Sequence, residues 1–260
     1  MKIGFIGAGR VATHLAQQLQ QHYEIVQIYS RDLLHAKKLA FIVNAEAINE
    51  FEKINQHLDL LIIAVSDQAI SLVVDQLKQL NFKGLIVHTS GSTHLDVLAN
   101  SLDRVGVFYP LQTFSYESEI NWQQTPLFIE AREKEDTELL NNIAQLLTEK
   151  VYQYSSAQRL SLHLAAVFAC NFSNYCYDIS KQILDQNQVD FSLLYPLILE
   201  TAKKATMVSP DHAQTGPARR GDQNILQMHQ NMLKAENQDN FLDVYSLLSQ
   251  QILEKHQNNK

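Results

Sequence analysis

Cysteine is almost absent from this chain, basic residues are outnumbered by acidic ones, and no long apolar run occurs. Each scarcity excludes something. The two cysteines, Cys170 and Cys176, lie six apart on one predicted helix, so their directions differ by about 120° at 3.6 residues per turn. They cannot bridge to each other there and form no CxxC or zinc spacing. They read as reduced packing residues, and no metal is expected. The formal net charge is −7. Split at residue 154, Lys and Arg number 12 against 18 acids in the first part and 9 against 10 in the second. Neither part has the basic excess of a nucleic-acid binder. No apolar run approaches the ~20 residues that span a bilayer, and Met1-Lys2 leads straight into IGFIG with no secretory signal. The expectation is a cytoplasmic protein without nucleic-acid or membrane partners.

What is present is ordinary in amount and informative in order. Hydrophobic residues make up 45% and charged residues 19% of 260 residues, enough for one large or two ordinary domains with a sizeable core. The first 154 residues alternate short apolar runs with amphipathic stretches, the mark of a parallel sheet flanked by helices. Strands are predicted at 2–6, 24–29, 45–48, 58–65, 84–89, 104–109, 126–131 and 151–155, with helices at 10–22, 31–41, 67–80, 94–101 and 134–149. The run LLIIAV is apolar on both faces, as a central covered strand should be. After residue 155 the strand pattern stops. One long helix is predicted over 156–186, then helices near 191–207, 222–236 and 239–256, with the breaker-rich loop SPDHAQTGPARRGD (209–222) between the middle two. No internal repeat is visible, and only the glutamine- and asparagine-rich tail is compositionally biased, where fraying is expected. The fold class is therefore α/β, a Rossmann-type doubly wound, mostly parallel sheet over 1–154, followed by an all-α domain over 155–260.

The segment IGFIGAGRVATHLA places Gly7-Ala8-Gly9-Arg10-Val11-Ala12 after a strand and at a helix start, which is G-x-G-x-x-G/A in its required context. Gly7 permits the tight turn, Gly9 lets a pyrophosphate approach the backbone, and Ala12 lets the helix pack closely on the sheet. The helix N-terminus supplies free N–H groups for phosphates. Beyond the second strand stands Tyr29-Ser30-Arg31-Asp32. The Ser30 hydroxyl and Arg31 guanidinium suit a 2′-phosphate, favouring NADP over NAD. Ser30 and Asp32 as mere helix-cap residues is the structural alternative, and Asp32 keeps NAD open. Two further turns fall at strand ends, where ligands sit in open α/β sheets. They are Val65-Ser66-Asp67 and Ser90-Gly91-Ser92; each suits the nicotinamide side, and each also reads as a capped helix start.

In order, GFIGAGRVATHLA, AVSD, HTSGS, YPLQTF, HLAAVFACNFSN and TGPARRGD resemble a bacterial family that joins a Rossmann-like NADP-oxidoreductase domain to a helical domain of unknown function. The resemblance covers nearly the whole length. The wider group is similar to pyrroline-5-carboxylate reductases, 6-phosphogluconate and β-hydroxyacid dehydrogenases, and deazaflavin-dependent NADP oxidoreductases. It implies a helical domain that forms a homodimer and a cleft for a small-molecule substrate between the domains. One departure stands out. The β-hydroxyacid dehydrogenases carry a catalytic lysine four residues before an asparagine, whereas four before Asn171 stands Val167.

On a wheel of 100° per residue, His163, Asn171 and Asn174 share one stripe of helix 156–186, with Ser156, Arg159, Asp178 and Lys181. Phe168, Phe172, Tyr175, Ile179 and Ile183 lie opposite. The stripe reads as a solvated face or as one wall of a partly dry cleft, since its middle holds neutral polar groups; the resemblance favours the cleft. His163 is then a candidate proton donor, and Asn171 and Asn174 orient a carbonyl, imine or carboxylate. Thr215, Gly216, Arg219 and Arg220 read either as an anion-binding flap or as a surface loop in which Asp222 caps the next helix. Tyr109-Pro110 is a candidate cleft-lining pair with a cis bond. The expected activity is NADP-dependent oxidoreduction of a small anionic carbonyl, imine or hydroxy compound. The competing expectation is a non-catalytic NADP(H)-sensing dimer.

Overall fold

The computed structural model describes residues 1–117 and 119–257; the last three residues of the tail lie outside the described residues. The chain divides into two compact units, Met1–Phe168 and Ala169–Lys260. The first is built from β1 (Lys2–Ile6), α1 (Arg10–Leu19), β2 (Glu24–Tyr29), α2 (Leu33–Val43), β3 (Glu46–Ile48), β4 (Leu60–Ile63), α3 (Asp67–Leu77), β5 (Leu85–His88), α4 (Asp96–Ala99), β6 (Val105–Pro110), β7 (Leu127–Ala131), α5 (Lys134–Gln145), β8 (Val151–Gln153) and α6 (Ser156–Ala166). Every predicted strand is present. The predicted helix at 94–101 is reduced to the single turn of α4.

The eight strands form one sheet in the order β3-β2-β1-β4-β5-β6-β7-β8. All neighbours are parallel except β6 and β7, which run antiparallel with Tyr109 opposite Phe128. The chain builds outward from β1 to β3 and then returns to place β4 on the other side of β1. The C-terminal ends of β1 and β4 therefore form a topological switch point, where open α/β sheets bind ligands. The four residues of β4 are all buried, because helices cover both faces. One apolar layer includes Phe5, Leu15, Ile28, Ile62 and Leu140, and the other Ile6, Ile63, Ile70, Leu98 and Val107. Pro110 extends β6 opposite Leu127, and no peptide bond among the described residues is cis. The expectation of a cis Tyr109-Pro110 bond is thus overturned: the chain runs on extended to pair with β7 instead of turning at the strand end.

Helix α6 starts with a full capping box. Ser155 accepts from the Gln158 backbone, and the Gln158 side chain accepts from the Ser155 N–H. Helical structure then continues through a π-helical turn at Val167–Phe172 into α7 (Ser173–Gln186). A π turn inserts about one extra residue, or about 100° of rotation. The uniform wheel that grouped His163 with both asparagines therefore does not extend past Val167. The second unit continues with α8 (Tyr195–Met207), α9 (Pro210–Ala213), α10 (Pro217–Arg220), α11 (Gln223–Ala235) and α12 (Asp239–Gln257). The expected loop 209–222 thus folds into two short helical turns. The His229 ring nitrogen and the Tyr245 hydroxyl, 2.9 Å apart, tie α11 to α12. Cys176 is partly buried and Cys170 exposed, both as free thiols, so Cys170 does not pack within a single chain. No described helix is long and apolar enough to cross a membrane.

His88 ends β5 fully buried, and its Nδ1 accepts from the Ser90 N–H at 3.1 Å. Burial first, and then the Arg159 charge, pull its pKa from 6.5 down to about 3. The folded protein thus holds a neutral imidazole while the unfolded chain takes up a proton near pH 6.5. Stability is full above that value and falls as pH drops toward 3, by about 1.4 kcal/mol per pH unit. Urea denaturation at pH 7 and pH 5 should show this loss in the wild type and a smaller one in His88→Gln; equal losses would remove the assignment.

Candidate functional site

A cavity of about 910 Å³ runs along the C-terminal edge of the sheet. Its lining comes from the turns after β2, β1, β4, β5 and β6, which are five adjacent strands. Gly7, Ala8, Gly9, Arg10 and Val11 line it after β1, Ser30 and Arg31 after β2, Val65, Ser66 and Asp67 after β4, and Ser90 and Gly91 after β5. Tyr109 and Pro110 close β6 against it, and His163 enters from α6. Of the sequence-derived cofactor residues only Ala12 stands apart. It is fully buried, supporting α1 against the sheet from beneath the turn.

The turn after β1 fits a dinucleotide phosphate group. Gly7 has φ +114°, and a Cβ there would sit 2.2 Å from the Ala64 carbonyl oxygen, so any side chain would collide with the neighbouring strand end. A Cβ at Gly9 meets nothing within 4 Å, which leaves open space at the start of α1. No side chain caps that helix, and its first amides are available to an anion. Tyr29 and Phe51, with ring centroids 4.3 Å apart, add an aromatic wall to the same cavity. After β2 the acid turns away. The Asp32 carboxylate accepts from the Leu34 N–H at 2.8 Å as the cap of α2, while Ser30 and Arg31 line the cavity.

The turn after β5 is held by side chains. Ser90 Oγ accepts from the backbone of Ser92 and Thr93 at 3.1 and 2.9 Å, and the Ser92 hydroxyl donates to Asp67. Gly91 lies where the Tyr109 and His163 rings converge, and the Tyr109 oxygen is 3.5 Å from His163 Nδ1. Burial, reinforced by the Asp67 charge, raises the Tyr109 pKa above its ordinary value of 10. The hydroxyl therefore stays protonated near neutrality and is available as a donor.

Sequence reasoning missed what positions these groups. Arg159, a polar position on the wheel, is 1% exposed. It donates to the carbonyls of Ser90 at 3.2 Å and Thr93 at 2.5 Å, to Ser156 Oγ at 3.2 Å, and to the Glu130 carboxylate. Glu130 also accepts from the Ser156 N–H and hydroxyl at 3.0 and 2.7 Å, and Ser156 Oγ accepts from the Leu95 N–H at 2.9 Å. The capping box at 155–158 is readable in sequence, but an arginine in a first helical turn is usually exposed, and nothing in the string marks this one as buried.

The remaining residues singled out in the sequence lie in the second unit. Asn171 and Asn174 are exposed there. Gly216 has φ +100° at the start of α10, and Arg219 donates to the Gln214 carbonyl. Arg220 and Thr215 are exposed, and Asp222 caps α11 through the Ile225 N–H.

The fold and cavity define a Rossmann-type protein whose first turn suits the phosphates of a dinucleotide. Residues 2–91 match the family described as NADP oxidoreductase, coenzyme F420-dependent, and residues 125–252 match a domain of unknown function, DUF2520. The crystal structure of a "putative NADP oxidoreductase" from Bacteroides fragilis is 40% identical, covers 97% of this chain and 98% of its own, and has a TM-score of 0.91. The chain belongs to that family, which joins an NADP-oxidoreductase domain to a DUF2520 domain. No curated protein matches it. Two more distant structures share the fold. An imine reductase from Streptomyces aurantiacus is 14% identical over 95% of this chain and 93% of its own, with a TM-score of 0.68. A 1-pyrroline-5-carboxylate reductase from Streptococcus pyogenes is 17% identical over 99% and 98%, with a TM-score of 0.63.

Removing one partner of the buried pair leaves the other charged and dry, at a cost of about 3–5 kcal/mol. Glu130→Ala should therefore lower the unfolding free energy measured in urea by a matching amount, and hydrogen exchange should speed up at residues 90–95. A shift below about 1 kcal/mol would mean that solvent reaches Arg159 and the knot does not hold the turn.

Proposed function

We propose that this chain is an NADP-dependent oxidoreductase that transfers a hydride to or from a small anionic carbonyl, imine or hydroxy compound. The observation that carries the reading is the single cavity running from the Gly7–Val11 turn to Tyr109 and His163. When bound, NADP supplies the hydride chemistry. The protein supplies phosphate contacts at Gly7–Val11, a cover of Val65, Ser66, Asp67, Ser90 and Gly91, and, with His163 as its source, the proton taken up by the heteroatom that becomes electron-rich. The imine reductase and pyrroline-5-carboxylate reductase among the structural neighbours suggest starting with cyclic imines and keto acids. Loss of NADPH absorbance with a member of that panel is the expected outcome. Tight NADPH binding without turnover, and no loss of function in His163→Ala, would favour an NADP(H) sensor instead.

NADP is preferred over NAD because Ser30 and Arg31 line the cavity while Asp32 is engaged as a helix cap. A charge-assisted hydrogen bond is worth roughly 1.5–3 kcal/mol. Arg31→Ala should therefore weaken NADPH binding on the order of 10- to 100-fold and leave NADH binding nearly unchanged in fluorescence titrations. Equal effects on both cofactors would remove the preference.

The protein acts as a cytoplasmic homodimer through its helical unit. In that unit only Ala218, Leu226 and Leu233 are buried apolar residues among those described, while Leu193, Leu197, Leu199 and Met207 are 62–71% exposed. An apolar surface this open is seldom left to water, and a second copy would cover it. Light scattering at micromolar concentration should give twice the 29.7 kDa chain mass; a monomer overturns this assembly.

A further inference from the structure

We propose that Tyr109 and His163 form a two-member proton relay, in which the Tyr109 hydroxyl donates to the substrate and His163 resupplies Tyr109. The relay rests on the reductase reading of the cavity and makes Tyr109 a catalytic residue in addition to a lining one. The two side chains come from different elements, the end of β6 and the second turn of α6, yet phenolic oxygen and Nδ1 stand 3.5 Å apart. Their rings meet edge-on, with centroids 6.4 Å apart at 70°. The place where they meet is built for closeness. A Cβ at Gly91 would lie 2.7 Å from Tyr109 Cζ, 2.8 Å from its oxygen and 2.8 Å from His163 Nδ1. Only glycine lets both groups settle there. Gly91 is itself held by the Ser90 carbonyl on Arg159, and His163 follows Arg159 by one helical turn. Phe128 backs the Tyr109 ring at 6.2 Å.

The order of donation follows from the chemistry of the two groups. A phenol kept protonated by burial and by Asp67 gives up its proton readily only if a neighbour replaces it at once. An imidazole, whose ring nitrogens can both take up and release a proton, is that neighbour. The charged groups facing the pair are Asp67 of α3, which accepts from Ser92, and Arg159 of α6, which is paired with Glu130 of β7. His88 of β5 is neutral. In the reductive direction the carbonyl or imine carbon takes the hydride and the C=O or C=N π pair moves to the heteroatom. The heteroatom takes the Tyr109 proton as the phenolic O–H bond breaks. The phenolic oxygen takes the proton from Nδ1 of the His163 imidazolium. Neutral His163 is then reprotonated from water, so one hydride and one proton are consumed per turnover.

Two measurements test the relay with different dependences on the substrate. In the protein without substrate, imidazole nitrogen NMR, with His163 identified through His163→Gln, should show Tyr109→Phe moving the Nδ1 signal and the titration midpoint of His163. The other imidazoles should stay in place. An unmoved His163 overturns the relay whatever the substrate proves to be. With a turned-over substrate, Tyr109→Phe should lower kcat about 100-fold or more with NADPH affinity unchanged. The wild-type kcat should fall as pH rises through the His163 midpoint, and His163→Gln should be slower and lose that fall. Persistence of the same pH limb in His163→Gln also overturns the relay. If His163 moves in the Tyr109→Phe spectrum but no substrate is turned over, the pairing stands as a packing feature and the reductase reading falls, taking the relay with it.

Discussion

The arrangement of the cavity depends on one buried ion pair, Arg159 with Glu130. Taking a guanidinium out of water costs several kcal/mol unless its donors are satisfied. Here they meet a carboxylate, two loop carbonyls and a serine hydroxyl. The fork geometry of arginine makes this possible, because its five donors point in fixed directions within one plane. A lysine offers a single ammonium and cannot reach strand β7, the Ser90 turn and the Thr93 carbonyl together. The pair thus joins three parts of the first unit that are distant in sequence: β7, the turn after β5 and the first turn of α6. Its consequence is geometric. The turn that carries Gly91 and the helix that carries His163 are fixed to the same guanidinium, so they cannot move independently.

Charge along the cavity follows the sheet order. Arg31 stands after β2 and Arg10 after β1, where the glycine turn and the open amides of α1 also favour anions. The Arg10 guanidinium lies over the Tyr116 ring at 5.6 Å, and a His14 ring nitrogen lies 2.7 Å from the Ser115 carbonyl. The segment after β6 is thereby drawn against α1 beside the phosphate turn. At the other end, after β5 and β6, the groups are a hydroxyl, an imidazole and a glycine, with Asp67 at the border. The cationic side chains thus gather at one end of this edge, and the phenol and imidazole at the other.

Much of this was legible in the sequence, and the reason is periodicity. Strands such as LLII and GLIV and the GAGRVA turn are local signals, set by which faces must be buried and where φ must be positive. They fixed the sheet and the cofactor turn to within a few residues. The Tyr109-Pro110 bond, the extent of α4 and the phase of helix 156–186 were not legible, because each is decided by contacts beyond the local window. A wheel of 100° per residue has no way to anticipate a π turn at Val167–Phe172. Arg159 illustrates the same limit from the side of energetics. Its burial depends on Glu130, 29 residues away, and no local pattern connects the two.

The π turn bears on how His163 differs from the residues that follow it. Up to Ala166 the helix is regular and its first turn is tied into the buried network, so the direction of His163 is inherited from Arg159 by simple i to i+4 geometry. From Val167 the hydrogen-bond register changes, and a helix that changes register there cannot carry a single polar stripe along its whole length. Val167, the position at which the β-hydroxyacid dehydrogenases keep a lysine, is the first residue of that turn. A lysine-based proton transfer therefore has no counterpart here in residue type, and the local helical geometry is irregular as well. His163 stands one turn before Val167, on the part of the helix that the ion pair holds. A rigidly held imidazole and phenol suit the proposed proton transfer, since proton donors act only when their distance to the acceptor is fixed.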